Sequence, residues 1–254
     1  MIDTVIVSGG DIQSDFALDF LKKLTEKTGR EKLTLIAADK GLEFFMKENL
    51  VPDLAVGDFD SLSEEGKVFL KLHEQTENAA KDKNSRAEKI KILRLKPEKD
   101  DSDTQSALRT AAEQGAKAIL ILGATGGRID HLMANLGLMA LGQKMGIRVS
   151  IMDICNYITL IPNRTVLRRE EQFGKYVSFF GMGGDVKGLT LEGFKYPLHN
   201  YDLTPADSGL TVSNEILEAE AVVTYESGNL MMIQSCDANF QSGKTCASEP
   251  IMIK

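Results

Sequence analysis

Two aspartates spaced two positions apart, Asp58 and Asp60, follow the apolar run 54–56 and Gly57. Because a strand sends alternate side chains to the same face, both carboxylates can point at one hard cation if the extended conformation continues past Gly57. Gly, Asp and Ser are also turn residues, so a solvated turn is the simpler interpretation of this segment alone. Other polar clusters in the chain change that balance.

Two further polar clusters each lie between a strand-like run and a helix-like run. They are residues 99–103, with three aspartates, and residues 123–131, which include Gly126, Gly127 and Arg128. In an open parallel sheet, ligands bind at the carboxyl ends of the strands, so the three clusters can converge there. A site rich in Asp and poor in His and Cys suits Mg²⁺. The predicted ligands are Asp58, Asp60 and Asp103, and their mutual repulsion should raise at least one carboxyl pKa.

The second of these clusters also has features of a phosphate site. Gly126 and Gly127 offer backbone N–H groups, and Arg128 offers a forked cation, just before a predicted helix N-terminus. The alternative is a glycine turn in which Asp130 caps the helix, and Asp130 can serve both purposes. Lys99 could contact a phosphate, although an exposed lysine before a helix needs no such role. Gly188 and Gly193 have P-loop spacing, but Phe194 occupies the required lysine position, so a kinase of this sequence would not be a P-loop kinase.

Strand-like and helix-like runs alternate through the first part of the chain, which predicts a parallel sheet with right-handed crossovers. The predicted strands are residues 5–7, 33–38, 54–56, 90–95, 118–122 and 148–153, and the predicted helices are residues 16–29, 42–48, 102–114 and 131–145. A further helix begins near residue 63 and fades into a polar segment near residue 84.

The pattern changes after residue 153, where short strand-like runs separated by Gly, Pro, Asn and Asp replace the helical period. This is typical of an antiparallel sandwich or barrel. The predicted fold is therefore a parallel-sheet α/β domain over residues 1–153, followed by an antiparallel β-sandwich over residues 154–254. Residues 237–250 are expected to be loosely ordered, with residues 251–253 as an edge strand. The predicted strands are residues 157–161, 166–168, 176–180, 189–191, 210–213, 219–225 and 230–234.

Composition limits the class of protein. The formal net charge of -7 argues against a general polyanion binder, and the 43% hydrophobic content is that of a globular domain. Three cysteines without a CxxC pair favour reduced thiols in a cytoplasmic protein. The N-terminus does not resemble a signal peptide, and no segment approaches the roughly 20 apolar residues that span a bilayer.

In these motifs the chain resembles the thiamine pyrophosphokinase family, which makes thiamine diphosphate and AMP from thiamine and ATP. The resemblance covers nearly the whole chain. It implies an N-terminal catalytic domain that binds ATP, a C-terminal β-sandwich that binds thiamine and forms a homodimer, active sites at the subunit interface, and dependence on Mg²⁺. It rests on residues 57–61, 100–103, 126–131 with Asn135, 193–198 and 213–215.

The resemblance assigns roles to individual residues. Asp58, Asp60 and Asp103 are implied to handle Mg²⁺ and phosphate, and Arg128 and Asp130 to contact phosphate and substrate. Tyr196 stands where relatives stack an aromatic ring on thiamine, and Ser213 with Asn214 matches a motif near its pyrimidine. The remaining implied ATP contacts are Asp39, Ser61, Lys99, Ser102, Gly126, Gly127 and His131. Three features depart from the family pattern: Lys40, where a glycine is usual, Ser102, where a threonine is usual, and the stretches 74–89 and 237–250, which are longer than typical.

Two other functions fit parts of the pattern. Residues 58–62 nearly match the nucleophile motif of haloacid dehalogenase-type phosphatases, although two strand–helix units precede them here and the β-sandwich has no explanation in that family. A non-catalytic sensor of thiamine or nucleotide is the second alternative. The three aspartates argue against it, because a sensor would not need a metal cluster. Products separate the three, because only the kinase forms AMP from thiamine and ATP.

Overall fold

The computed structural model describes residues 1–74, 89–96, 101–207 and 209–237. The chain divides into two compact units, Met1–Arg148 and Val149–Lys254. The predicted segments near residue 84 and at 238–253, together with Lys99, lie outside the described residues. No helix within the described ranges has the length and apolar character needed to cross a bilayer.

The first unit is built on parallel strands in the order β4-β3-β2-β1-β5. All of β1 is buried, as expected for a strand covered on both faces. The strands are β1 (Thr4–Val7), β2 (Thr34–Ala38), β3 (Leu54–Gly57), β4 (Lys91–Arg94) and β5 (Ala118–Leu122), and the helices are α1 (Ser14–Thr28), α2 (Leu42–Lys47), α3 (Glu64–His73), α4 (Asp103–Glu113) and α5 (Ile129–Lys144). The predicted alternation of strands and helices is confirmed.

The strand order reverses direction at β1. From β1 the chain moves outward to β2, β3 and β4, and then returns to the other side of β1 to form β5. Loops that leave β1 and β5 therefore turn to opposite faces of the sheet and open a crevice between them. The fold thus predicts a ligand site beside the carboxyl ends of these two strands.

The second unit is antiparallel throughout. One set of strands pairs in the order β6-β7-β13-β9, and a second sheet has the order β11-β10-β12-β8. The predicted fold class is confirmed. The strands are β6 (Arg148–Met152), β7 (Asn156–Ile161), β8 (Arg164–Arg168), β9 (Tyr176–Gly181), β10 (Val186–Glu192), β11 (Leu198–Leu203), β12 (Glu220–Thr224) and β13 (Leu230–Ser235).

One predicted strand is wrong in this unit, and one observed strand was not predicted. Residues 210–213 do not form a strand, because Ser213 has a left-handed φ of 58° and only an isolated bridge joins Asn214 to Val177. The strand that was not predicted is Leu198–Leu203. Its register against β10 shifts along its length, so its sequence does not need the regular alternation of apolar and polar residues by which a strand is recognised.

The two cysteines within the described ranges, Cys155 and Cys236, differ in their bonding. Cys155 is a free thiol, and its pKa is raised by partial burial and by the charges of Asp153 and Asp237, which favours the protonated form. Cys236 is disulfide-bonded, so the expectation of reduced thiols is wrong for this residue.

Candidate active site

A cavity of about 520 Å³ opens at the carboxyl ends of β1, β2 and β5 and at the first turns of α4 and α5. Its polar lining includes Asp39, Lys40 and Ser61 beyond β2 and β3, and Ser102 and Asp103 at α4. Residues described around it all belong to the first unit. Further lining residues come from the loops after β1 and β5, namely Ser8, Gly9, Gly10, Asp11, Gly123, Gly126, Gly127, Arg128, Asp130, His131 and Asn135.

The loops after β1 and β5 approach each other backbone to backbone. The Gly10 N–H donates to the Gly123 carbonyl at 3.0 Å, and a Cβ on Gly10 would lie 2.5 Å from that oxygen. Gly123 has a φ of 67°, which a side chain would strain. The loop at residues 8–11 is a site element that the sequence-based predictions missed. The signal was available, since Ser-Gly-Gly-Asp directly follows a buried strand of the same sheet.

Asp39, Asp58 and Asp60 form a carboxylate group whose possible ligand oxygens all lie within 4.8 Å of one another. The chain does not stay extended past Gly57, because Phe59 has a φ of 62° and its ring is buried. Asp58 Oδ1 accepts the Asp60 N–H at 3.2 Å, and Asp39 Oδ1 accepts the Phe59 N–H at 3.1 Å. A turn, rather than strand alternation, therefore brings the carboxylates together.

The neighbouring carboxylates raise the pKa of Asp60, as the sequence predicts for at least one member of the cluster. A hydrogen bond with the Asp58 carboxylate, followed by the charges of Asp58, Asp39 and Asp103, raises the pKa of Asp60 above its usual 3.8. Asp103 lines the cavity but does not belong to the tight group, in which Asp39 stands instead. Asp39 also accepts a short hydrogen bond from the Ser61 hydroxyl.

The starts of α4 and α5 place the remaining ATP-side candidates. Ser102 caps α4, since its hydroxyl accepts the Gln105 N–H at 3.2 Å. Arg128 occupies the N-cap position of α5, so the alternative in which Asp130 is the N-cap is wrong, although Asp130 Oδ1 accepts the first-turn N–H of His131 at 2.9 Å. The Arg128 guanidinium donates two hydrogen bonds to Asp130, one at 3.1 Å, and these lower the pKa of Asp130 and raise that of Arg128.

Asn135 holds the glycine loop through a hydrogen bond to its backbone. Its buried side chain donates to the Ala124 carbonyl at 2.9 Å, one residue after the positive-φ Gly123. Because Asn135 lies on α5, this bond fixes the loop that carries Gly126 and Gly127 against the helix that follows it.

The three residues implied for thiamine lie together in the second unit. Tyr196 is 56% exposed in the bend between β10 and β11, so it is not the half-buried strand tyrosine that its type most often provides. Ser213 is exposed with its left-handed φ, whereas the Asn214 side chain is buried and bonded to Tyr196.

Comparison with known proteins identifies these features. The family model described as the thiamin pyrophosphokinase catalytic domain matches residues 25–151, and the model of the vitamin B1 binding domain matches residues 164–230. A thiamine pyrophosphokinase from Bacillus subtilis is 33% identical over 202 residues, which cover 80% of this chain and 87% of that protein.

The chain belongs to the thiamine pyrophosphokinase family. Solved structures agree with this. A crystal structure of thiamine pyrophosphokinase from Bacillus subtilis matches with a TM-score of 0.72 and 30% identity, covering 92% of this chain and 99% of that one. The enzyme from Geobacillus thermodenitrificans gives a TM-score of 0.70 at 30% identity, with 93% and 98% covered. The phosphatase interpretation has no counterpart in these matches, and family membership makes the chain a thiamine diphosphokinase with ATP as co-substrate.

Proposed function

We propose that the cavity of the first unit binds ATP and that the thiamine hydroxyl oxygen attacks its β-phosphorus. The bond from the β-phosphorus to the oxygen bridging to the α-phosphate breaks. AMP leaves with the electron pair, and the hydroxyl proton is released. The match of one chain to both the catalytic and the vitamin B1 binding model carries this proposal. In such transfers the protein contributes mainly positioning and electrostatic stabilisation.

Mg²⁺ fits the carboxylates of this cavity. Asp39, Asp58 and Asp60 offer three oxygen ligands within 4.8 Å, and oxygen is the donor that Mg²⁺ prefers. Neighbouring negative charges raise the pKa of Asp60, and a divalent cation offsets those charges. When bound, Mg²⁺ also offsets charge on the phosphates. We assign Asp58, Asp60 and Asp103 to metal and phosphate handling, with Asp39 added to them.

The glycine loop and its neighbours are the proposed phosphate contacts. Gly126 and Gly127 have no side chains to block an approaching phosphate, and Arg128 and His131 bring positive or hydrogen-bonding groups to the same wall. Asp130 holds the Arg128 guanidinium through an exposed pair, which a phosphate can replace at small cost. Ser61 and Ser102 add hydroxyls to the lining.

Thiamine is assigned to the second unit through Tyr196 and Ser213. The exposed Tyr196 ring offers a face to a flat pyrimidine or a cationic thiazolium. The resemblance further implies a homodimer in which each active site combines parts of both subunits, and the cysteine usage predicts a cytoplasmic location. Both remain predictions.

Product analysis tests the proposed reaction. Purified protein incubated with thiamine, ATP and Mg²⁺ should form AMP and thiamine diphosphate in equal amounts, measured by anion-exchange chromatography. Omitting thiamine is the control and should abolish AMP formation. ADP with thiamine monophosphate as the first products would contradict the single diphosphate transfer. Thiamine binding without any AMP would favour the sensor.

A further inference from the structure

Asn214 is almost fully buried, at 2% exposure, while the neighbouring Ser213 is exposed. Its side-chain oxygen accepts the Tyr196 N–H at 3.0 Å and the Glu215 N–H at 2.9 Å. Its side-chain nitrogen donates to the Tyr196 carbonyl at 2.8 Å. An amide oxygen has two acceptor sites, and both are used here, so this side chain presents no free acceptor to a ligand.

The backbone of Asn214 is fixed as well. Its N–H donates to the Val177 carbonyl at 3.0 Å, and it accepts the Val177 N–H at 2.8 Å. Val177 lies fully buried in β9. Asn214 therefore connects both polar groups of the Tyr196 backbone to a core strand.

Neighbouring residues strengthen the same connection. The Lys195 N–H donates to the Glu215 carbonyl at 2.9 Å, and its ammonium pairs with the Glu215 carboxylate at 2.7 Å. The same ammonium lies 5.5 Å from the centre of the Tyr196 ring. The Tyr196 ring is thus exposed, but the chain that carries it is held on both sides.

We infer that Asn214 is a positioning residue that acts on thiamine through Tyr196 and does not contact thiamine itself. This inference rests on the proposed function, in which Tyr196 provides the aromatic face for thiamine. Without the two hydrogen bonds to its backbone, Tyr196 samples several orientations, and thiamine binding must then order it. Ser213, which is exposed beside Asn214, remains the residue proposed to contact thiamine directly.

A double-mutant cycle separates positioning from direct contact. Asn214→Ala should raise the Michaelis constant for thiamine by about tenfold while changing that for ATP by less than about twofold. In the Tyr196→Ala background, the same change should add nothing to the already raised constant. Equal effects of Asn214→Ala in both backgrounds would overturn the inference, as would an unchanged constant for thiamine in the single variant.

Two companion variants guard against a general loss of structure. Asn214→Asp keeps the acceptor for the two N–H groups but replaces the donor with an oxygen that repels the Tyr196 carbonyl, so it should also raise the Michaelis constant for thiamine selectively and gives a second test if Asn214→Ala does not fold. Gln234→Ala removes another buried amide of this unit, one that accepts the Phe173 N–H at 2.7 Å. It should lower the melting temperature without a selective effect on thiamine.

Binding can be read without turnover, because the chain contains no tryptophan. Tyr196→Trp places a single indole at the site, and thiamine should quench its fluorescence in a saturable way. Adding Asn214→Ala should weaken this binding by about tenfold and raise the rotational freedom of the indole, seen as lower anisotropy. Failure of the wild-type protein to form AMP would refute the proposed function itself. Normal AMP formation with unchanged quenching in the double variant would refute only the positioning role.

Discussion

Asp58 and Asp60 lie side by side because the chain between them bends, with Phe59 left-handed and its ring in the core. The turn and the proposed metal site, which are alternative interpretations of the sequence, are therefore compatible, because the turn itself brings the carboxylates together. A strained backbone held by buried neighbours is typical of functional sites. Asp39 supports it by accepting the Phe59 N–H, and a Cβ on Gly57 would lie 3.0 Å from the Asp39 Cα.

Asp60→Asn should keep the fold and lower kcat by about 100-fold or more, since it removes a charge from the proposed metal site while preserving size. Steady-state AMP formation across a Mg²⁺ titration measures this. Asp53→Asn, an acidic residue paired with Arg30 away from the cavity, is the control. Near-normal turnover of Asp60→Asn at limiting Mg²⁺ would leave only the turn role for this residue.

The same substitution should change the pH dependence of stability in metal-free buffer. Because the pKa of Asp60 is raised on folding, the folded state holds this proton more tightly than the unfolded state. Its contribution therefore becomes unfavourable as the pH rises from 3.8 through the higher folded value. Asp60→Asn should melt slightly above wild type at neutral pH, with the difference shrinking in acid. Parallel melting curves with a constant offset would contradict this sign.

Lys40 departs from the family pattern and, like Ser102, lines the cavity. It is exposed, and its ammonium has no hydrogen-bond or ion-pair partner within the described ranges, whereas Arg128 is held by Asp130. We expect Lys40→Ala to raise the Michaelis constant for ATP by about fivefold and to leave that for thiamine unchanged. Lys40→Arg should behave like wild type. Lys47→Ala, on the following helix, is the matched control, and equal effects of the two alanine variants would remove Lys40 from the site.

At the scale of elements, the close approach of the loops after β1 and β5 requires glycine at positions 10 and 126. A Cβ on Gly126 would lie 2.6 Å from the Asp11 Cβ, so Gly126→Ala forces the two loops apart. It should destabilise the protein by about 1–3 kcal/mol and weaken ATP binding, measured by melting and calorimetry.

Gly137 provides the control for that substitution. It lies within α5 and a Cβ there meets nothing within 4 Å, so Gly137→Ala should stabilise the helix by about 0.5–1 kcal/mol. A destabilising Gly137→Ala, or a neutral Gly126→Ala, would show that backbone approach does not set the tolerance at these positions.

The elements also show what a sequence can and cannot predict. Buried parallel strands such as β1 and β5 are continuous apolar runs, and their loops carry Gly and Asp, so their order and the edge where the site forms are predictable. The strand at Leu198–Leu203 is not, because it pairs irregularly with β10 and keeps polar side chains exposed. Residues 210–213 are apolar enough to suggest a strand, yet the turn at Ser213 depends on tertiary bonds to β9, among them Ser213 N–H to Ser178 Oγ at 3.0 Å.

The same limit applies to the site. Residue types predicted the acidic clusters and the glycine loop, but membership of the tight carboxylate group required the fold, which brought Asp39 rather than Asp103 beside Asp58. The hydrogen bonds of Asn214 to Tyr196 join residues 18 positions apart, and no spacing rule indicates them.

At the scale of the whole molecule, ATP-side residues and thiamine-side residues belong to different units of the chain. The family resemblance implies that each active site is completed by two subunits. If so, Asp60→Asn and Tyr196→Ala damage different halves of every site, and each homodimer carries two identically damaged sites.

Mixing the two variants should therefore restore activity. In a mixed dimer, one site receives both damaged halves and the other receives both intact halves, so one active site returns. Random exchange of equal amounts makes about half of the dimers mixed, which gives about one quarter of wild-type activity at saturating ATP and at a thiamine concentration that fills intact sites but not sites carrying Tyr196→Ala. Native mass spectrometry establishes that exchange has occurred, and the unmixed variants assayed at the same total concentration are the controls. Exchanged dimers that remain as inactive as the unmixed variants would show that Asp60 and Tyr196 serve a site within one subunit, because only then does every site in the mixture keep one damaged half.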